Sequence, residues 1–208
     1  SIQDEMYSVN AVLERLDDVF RTETEAEMDK KKKNLEGNIK SIEFDNVCFQ
    51  YGMRQEILHN VSFKVEEGES IGIIGTSGCG KTTLIKLILA FYPINSGVIK
   101  MNGVDISKCT SSSIRRRIAY VSQNDFWFKD TIFNNLTIGN RDATVQELDK
   151  VCEMVKMTDY IQKAPYGYNS KIEEGGGNLS SGEKQRFSIA KALITNPDVL
   201  ILDESTSN

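Results

Sequence analysis

The spacing of apolar residues divides the chain into three regions. Residues 1–20 place apolar side chains three and four positions apart, which predicts an amphipathic helix. Residues 21–38 are rich in charged side chains and poor in apolar ones, as is typical of a solvated linker. From residue 39 onwards the pattern is that of a folded domain, which we place at 39–208.

The pattern in the domain predicts strands first and then strands that alternate with helices. A short apolar run over 70–74 fits a strand buried on both faces, and it leads through a glycine-rich turn into a helix over 81–91. The other predicted elements are strands at 39–49, 57–65, 97–101, 118–122 and 199–202, and helices near 111–117, 144–157 and 183–195. This order predicts an α/β fold with an antiparallel β part and an inserted helical region at about 124–180.

Composition narrows the class of protein. The chain has 208 residues and a net charge of −5, so there is no diffuse positive field to hold a nucleic-acid backbone. Its four cysteines form no C-x-x-C pair and its only histidine is His59, so neither a zinc site nor a disulfide framework is indicated. The N-terminus lacks the basic flank and apolar core of a signal peptide, and no apolar run approaches the ~20 residues that cross a bilayer.

A glycine-rich segment carries the clearest chemical signature. It follows the predicted strand at 70–74, opens the predicted helix at 81, and matches G-x-x-x-x-G-K-[ST] without a gap. The glycines permit dihedrals that let successive amides point at phosphate oxygens, and the helix start adds the positive end of a dipole. In such a loop the lysine binds the β- and γ-phosphates and the threonine next to it ligates Mg²⁺. The predicted ATP-binding residues here are Gly75, Thr76, Ser77, Gly78, Cys79, Gly80, Lys81, Thr82 and Thr83.

Two carboxylates follow the last predicted strand. The apolar run at 199–202 delivers Asp203 and Glu204 at its end, about 120 residues after the phosphate loop. In nucleoside triphosphatases the acidic residue at such a strand end holds magnesium, and a second carboxylate can take the proton of the attacking water. We therefore predict Asp203 as a metal ligand and Glu204 as the general base.

A third motif points to a family. The run at 178–186, which reads N-L-S-S-G-E-K-Q-R, resembles the L-S-G-G-Q signature of ATP-binding cassette (ABC) proteins. Ser180 and Glu183 also have the spacing of a capping box, so the same residues predict a well-capped helix start, which is itself an anion site. Residues from about 40 to 208 resemble the nucleotide-binding domain of an ABC exporter, and the helix at 1–20 resembles the cytoplasmic end of its last transmembrane helix.

The resemblance implies roles for further residues. Tyr51 corresponds to the aromatic residue that stacks on adenine, and Gln123 to the glutamine that contacts magnesium and water and senses the membrane domain. Ser180 and Gly182 would contact the nucleotide held by a second copy. Glu174 lies where exporters carry an acidic loop that reports to the transmembrane helices, and the run at 174–180 is most similar to exporters of bacteriocin-type peptides.

The implied protein is an ATPase subunit on the cytoplasmic face of a membrane, which we expect to be a bacterial plasma membrane. Its partners would be a transmembrane domain, in the same or another chain, and a second nucleotide-binding domain, as in a homodimer. No nucleic-acid partner is expected. Lys81, Glu204 and Gln123 would carry catalysis, and Thr82, Gln123 and Asp203 would surround Mg²⁺.

Departures from the family pattern leave two alternatives open. Ser181 stands where the family usually has glycine, Glu183 stands where it usually has glutamine, and the histidine expected about 30 residues after Glu204 is not in the sequence. These departures favour a non-catalytic cassette that binds ATP to regulate a partner. The other alternative is a soluble ABC ATPase that acts on nucleic acid or ribosomes, although the long coiled-coil insertion or second cassette that it requires is not in the sequence.

The resemblance also predicts that the core sheet is incomplete at its centre. In the family, a strand that follows the acidic pair lies between the phosphate-loop strand and the strand at 199–202. We therefore expect the C-terminal part of the domain to lie outside this sequence, another segment or copy to supply that strand, or the chain to fold poorly alone. The strands at 70–74 and 199–202 should not pair directly.

Overall fold

The computed structural model describes residues 13, 16–17, 20–21, 23–122 and 125–203. The predicted helix over 1–20 lies almost wholly outside the described residues. The elements in chain order are helix α1 (Glu25–Asp29), strands β1 (Ser41–Phe49) and β2 (Leu58–Glu66), helix α2 (Lys81–Ile88), strands β3 (Ser96–Met101) and β4 (Val104–Asp105), helix α3 (Ser111–Arg115), strands β5 (Ile118–Val121) and β6 (Asp130–Thr131), helices α4 (Ile132–Leu136), α5 (Val145–Met154) and α6 (Thr158–Lys163), strand β7 (Lys171–Ile172), helix α7 (Ser181–Leu193) and strand β8 (Val199–Leu202).

An antiparallel sheet with the order β2-β1-β3-β4 forms the first part of the domain. Alternate side chains of β1 are buried, and Phe44 stacks on Phe63 of β2 with the ring centroids 4.6 Å apart. Helix α2 contributes Leu84, Leu87 and Ile88 to the same core, so the helix that follows the phosphate loop is fixed against this sheet. The predicted antiparallel part is therefore present.

A second, parallel pair joins β5 and β8 in register, from Ile118 beside Val199 to Val121 beside Leu202. The predicted strand at 70–74 is not formed. Residues 70–74 belong to no strand, and Ile71, Ile73 and Ile74 are 52%, 43% and 98% exposed instead of buried. A strand needs a ladder partner, and no described strand pairs with this segment. It does not pair with β8 either.

The predicted helical insertion is a compact unit between β5 and β8. Helices α4, α5 and α6, the short antiparallel pair of β6 and β7, and most of α7 share one apolar core built around Leu136, Leu148 and Phe187, all essentially inaccessible to solvent. Helix α7 also packs on β5, where Ala192 contacts Ala119 and Val121. The helix that begins at the signature thus ties the helical unit to the parallel strands.

The segment predicted as a solvated linker over 21–38 is partly packed on the domain. Its helix α1 docks on α3: the Ser111 amide donates to Asp29 Oδ2 at 2.8 Å, and Glu25 pairs with Arg115. Further along, Leu35 is buried. These contacts hold the segment on the domain, although it has few of the apolar side chains whose scarcity predicted a solvated linker. Among the described residues, none of the helices has the length and hydropathy that a bilayer crossing requires.

Candidate functional site

The phosphate loop begins after the 70–74 segment and ends at the first turn of α2. Gly80 occupies the N-cap with φ +102°, a conformation that side-chain-bearing residues rarely adopt, and no side chain caps the helix. Gly80 is also closely covered, because a Cβ at this position would lie 2.7 Å from Leu58 Cδ2 and 3.1 Å from Ile57 Cγ2. The C-terminal end of the loop therefore packs against the start of β2, and the start of helix α2 is left open to an anion.

Lys81 lies over the loop that it follows. Its Nζ donates to the carbonyl oxygens of Gly75 at 2.9 Å and Thr76 at 3.0 Å, and Cys79 Sγ is 3.9 Å away. The residues from Gly75 to Cys79 are exposed. A positive charge and the uncapped start of α2 thus lie together at the surface, as a phosphate site requires.

A hydroxyl and a carboxylate from distant parts of the sequence meet beside this loop. Thr82 Oγ1 donates to Asp203 Oδ2 at 3.3 Å, because β8 ends next to the first turn of α2. Tyr120 of β5 donates its hydroxyl to the same carboxylate oxygen at 3.0 Å. Burial, followed by the contact with Asp203, raises the pKa of Tyr120 to about 12, so the phenol is a protonated donor at neutral pH.

The residues present fit a magnesium ion bound together with phosphate. A carboxylate and a hydroxyl are oxygen ligands of the kind that Mg²⁺ prefers, and Mg²⁺ commonly takes only one or two carboxylates plus substrate phosphates. Consistent with so sparse a ligand set, the described residues contain no cluster of three or more His, Cys, Asp or Glu arranged as a metal site. Gln123 and Glu204, the other predicted metal and catalytic residues, lie outside the described residues.

Tyr51 is half-buried near the start of α2. Its hydroxyl is 3.4 Å from Thr83 Oγ1, and its ring meets those of Phe49 and Tyr92 edge to face, at centroid distances of 4.8 and 5.1 Å. The Lys86 ammonium lies 5.8 Å from the ring centroid. The predicted adenine platform is therefore held by aromatic neighbours and tied to the helix that follows the phosphate loop.

The signature residues form the start of α7. Ser180 is the N-cap: its Oγ donates to Glu183 Oε2 at 2.7 Å and accepts from the Glu183 amide at 3.4 Å, while the Ser180 amide donates to the same carboxylate. These bonds, first from the Ser180 backbone and then from its hydroxyl, lower the pKa of Glu183. The predicted capping box is thus present, and the hydroxyl of Ser180 donates its hydrogen bond to Glu183.

The structure does not bring every predicted residue into one place. Tyr51, the phosphate loop, Thr82 and Asp203 lie around the start of α2. Within the described part of the chain, no hydrogen bond joins Ser180 or Gly182 to that loop.

Sequence reasoning missed a junction built around Trp127. The Trp127 carbonyl accepts from the Gly175 amide at 3.0 Å, and its ring lies 5.0 Å from the Lys191 ammonium of α7. Lys191 also donates to Asp125 Oδ1 at 2.6 Å. The junction links the loop that contains Glu174, the segment that follows Gln123, and the signature helix. A single tryptophan between two phenylalanines was the only signal for it in the sequence.

A glycine-rich phosphate loop at a helix start, with a strand-end carboxylate beside its threonine, defines a P-loop nucleotide-binding domain. The model of the ABC transporter family matches residues 58–207. The chain belongs to this family. Its mixed α/β fold is that of an ABC ATPase, which confirms the predicted fold class and the resemblance.

Similar proteins are ATP-binding/permease proteins. A probable ABC transporter ATP-binding/permease protein of Haemophilus influenzae is 43% identical over 171 residues, which cover 82% of this chain and 31% of that protein. A putative multidrug export ATP-binding/permease protein of Bacillus subtilis is 43% identical over 167 residues, 80% of this chain and 29% of the relative. A solved ATP-bound bacterial Atm1-family ABC exporter is 39% identical with a TM-score of 0.80, covering 85% of this chain and 31% of that one. The chain thus spans about a third of the length of each of these proteins.

Proposed function

We propose that this chain is the ATP-binding and ATP-hydrolysing domain of an exporter that moves its cargo across a membrane. The observation that carries the proposal is the meeting of Thr82 and Asp203 beside the phosphate loop, in a chain of the ABC family. The domain would sit on the cytoplasmic face of the membrane, with a transmembrane domain as its partner. We expect this to be a bacterial plasma membrane.

In this proposal the residues around the start of α2 hold and orient ATP. The loop amides and Lys81 bind the phosphates, and the Tyr51 ring stacks on adenine. Asp203, Thr82 and Gln123 would hold Mg²⁺, which would neutralise the negative charge that develops on the phosphates. Glu204 takes the proton of the attacking water, and Lys81 stabilises the transferring phosphoryl group.

A second copy completes the site. Ser180 and Gly182 lie at the start of a helix whose dipole favours an anion, and in the described part of the chain no hydrogen bond joins them to their own phosphate loop. We therefore infer that they contact the γ-phosphate of ATP bound to the partner, in a homodimer with two nucleotides at its interface. ATP would close the dimer and hydrolysis would reopen it, a change passed to the membrane domain through Gln123 and Glu174.

For the cargo we propose a bacteriocin-type peptide, which is supported by the run at 174–180. Similar proteins bear other names: one is a putative multidrug exporter and the solved structure is an Atm1-family exporter. Export assays in vesicles that contain the complete transporter, with a bacteriocin-type peptide and a multidrug-type dye offered separately, would distinguish these cargoes. Transport of the dye alone would exclude the peptide.

The test of hydrolysis separates binding from chemistry in the complete subunit. Glu204→Gln should keep ATP binding while turnover falls roughly 10²-fold or more, the scale of a lost general base. Lys81→Ala should lose binding itself, and Glu153→Gln, an exposed carboxylate on α5, serves as the matched control with unchanged activity. Wild-type turnover in Glu204→Gln would remove Glu204 from the mechanism.

The adenine platform has its own test. Base stacking on an aromatic side chain contributes about 1–3 kcal/mol, so Tyr51→Ala should weaken ATP binding about 5-fold or more while Tyr51→Trp retains it. Unchanged affinity in the alanine variant would leave Tyr51 as part of the aromatic packing alone.

One observation favours a regulatory cassette as a second candidate function. Because the hydroxyl of Ser180 donates to Glu183, it competes with any donation to a partner's phosphate. A regulatory cassette would bind ATP tightly and turn it over at a negligible rate, and Glu183→Gln would increase that rate. Measurable turnover by the wild-type subunit, stimulated by cargo, would support the exporter instead.

A further inference from the structure

Tyr120 is brought to the carboxylate of Asp203 by the register of two parallel strands. In the pairing of β5 with β8, Tyr120 lies beside Ile201, and Asp203 follows Ile201 by two positions. Because side chains alternate along a strand, all three project to the same face of the pair. Ile201 packs against the core that includes α2, so this face is the one next to the phosphate loop.

The contact involves one oxygen of the carboxylate. Tyr120 donates its hydroxyl to Asp203 Oδ2 at 3.0 Å, and Thr82 Oγ1 donates to the same oxygen at 3.3 Å. In the described part of the chain Oδ1 of Asp203 accepts no hydrogen bond. Two donors therefore fix the orientation of the carboxylate, and its second oxygen is left for another ligand.

We propose that Tyr120 is a positioning residue that holds the Asp203 carboxylate in the orientation in which it binds the metal of the Mg²⁺–ATP substrate. This rests on the proposed function. A carboxylate at a strand end otherwise rotates freely about its last bond, and fixing it removes an entropic cost from metal binding. A phenol suits this role because its ring is rigid and has only two side-chain torsions.

The geometry also defines the opposite possibility, which the experiment separates. If Tyr120 occupied a lone pair that the metal needs, it would compete with the ion, and its removal would strengthen metal binding. If the hydrogen bond only stabilised the strand pair, its removal would lower thermal stability and leave metal affinity unchanged.

The experiment is a metal titration of Tyr120→Phe in the complete subunit. Mn²⁺ is the probe, a non-hydrolysable ATP analogue is held below the protein concentration so that all of it is bound, and free Mn²⁺ is read by electron paramagnetic resonance. We expect the Mn²⁺ affinity to fall about 3- to 10-fold, within the net contribution of one hydrogen bond. The affinity for the analogue without metal should not change.

The matched control is Tyr168→Phe, which removes a hydroxyl that donates to Asp149 Oδ1 at 2.9 Å in the helical unit. It should leave Mn²⁺ affinity unchanged. In an Asp203→Asn background, Tyr120→Phe should have no further effect. Unchanged or tighter Mn²⁺ binding in Tyr120→Phe would overturn the proposal, whereas unchanged binding in Asp203→Asn would overturn the metal role assigned to Asp203 in the proposed function.

Discussion

Replacing Gly80 by alanine tests how the phosphate loop is held against the sheet. The substitution adds one methyl group at a position with φ +102°, where it would lie 2.7 Å from Leu58 Cδ2 and 3.1 Å from Ile57 Cγ2. It therefore combines two separate costs, backbone strain and overpacking. Gly68→Ala is the matched control, because Gly68 has φ +83° but nothing within 4 Å of an added Cβ.

The expected loss of folding stability follows from backbone strain and overpacking. A side-chain-bearing residue in such a backbone region costs about 1–3 kcal/mol, and this applies to both variants. Overpacking adds about 1–3 kcal/mol at Gly80 alone. The total for Gly80→Ala, about 2–6 kcal/mol, is a large part of the roughly 5–15 kcal/mol by which a domain is stable.

The assay is thermal unfolding of the nucleotide-binding domain in the complete subunit without nucleotide, together with ATP affinity at 25 °C. At about 2–4 °C per kcal/mol for a domain of this size, Gly80→Ala should unfold at least about 2 °C below Gly68→Ala. Only Gly80→Ala should weaken ATP binding, because it displaces the first amides of α2. Equal unfolding temperatures, or wild-type ATP affinity in Gly80→Ala, would refute this reasoning.

Three further predictions concern other parts of the structure. Lys191→Met removes the bond to Asp125 and should lower domain stability by about 1–3 kcal/mol, seen as a lower unfolding temperature with unchanged ATP affinity. Hydrogen bonds from Ser180 lower the pKa of Glu183 in the folded protein. The ionised carboxylate therefore stabilises the fold above the ordinary pKa of 4.5, and this stabilisation is lost as the pH falls through the folded-state pKa. Glu183→Gln should flatten the acid side of a plot of unfolding temperature against pH. Hydrogen exchange at 199–202 should be slower in the complete subunit than in the 208-residue chain, and equal rates would contradict a further strand at this edge.

The local parts of the site could be predicted from the sequence because their chemistry depends on near neighbours. The helix predicted from position 81 begins at Lys81, and the capping box predicted at Ser180 and Glu183 is present. Both features follow from dihedral preferences and hydrogen bonds within a few residues. The family and fold class were predicted correctly for the same reason, since they rest on such local motifs. The roles of Gln123 and Glu204 stay predictions.

The parts that could not be predicted depend on contacts between distant segments. Tyr120 and Asp203 are 83 positions apart, and Asp29 contacts the start of α3 across 82 positions. Composition alone therefore predicted a solvated linker where α1 is docked. It gave no reason to single out Tyr120, because the register of β5 against β8 is what brings its hydroxyl to the carboxylate.

The segment at 70–74 shows why an apolar pattern predicts a helix more safely than a strand. A helix such as α2 forms its backbone hydrogen bonds within its own residues, whereas a strand forms them with a neighbouring strand. β8 has that neighbour in β5, and 70–74 pairs with no described strand. Its isoleucines are exposed, and in β8 Leu200 and Leu202 are 38% and 46% exposed. The apolar pattern at 70–74 therefore predicted a buried strand, whereas no strand among the described residues pairs with this segment to bury it.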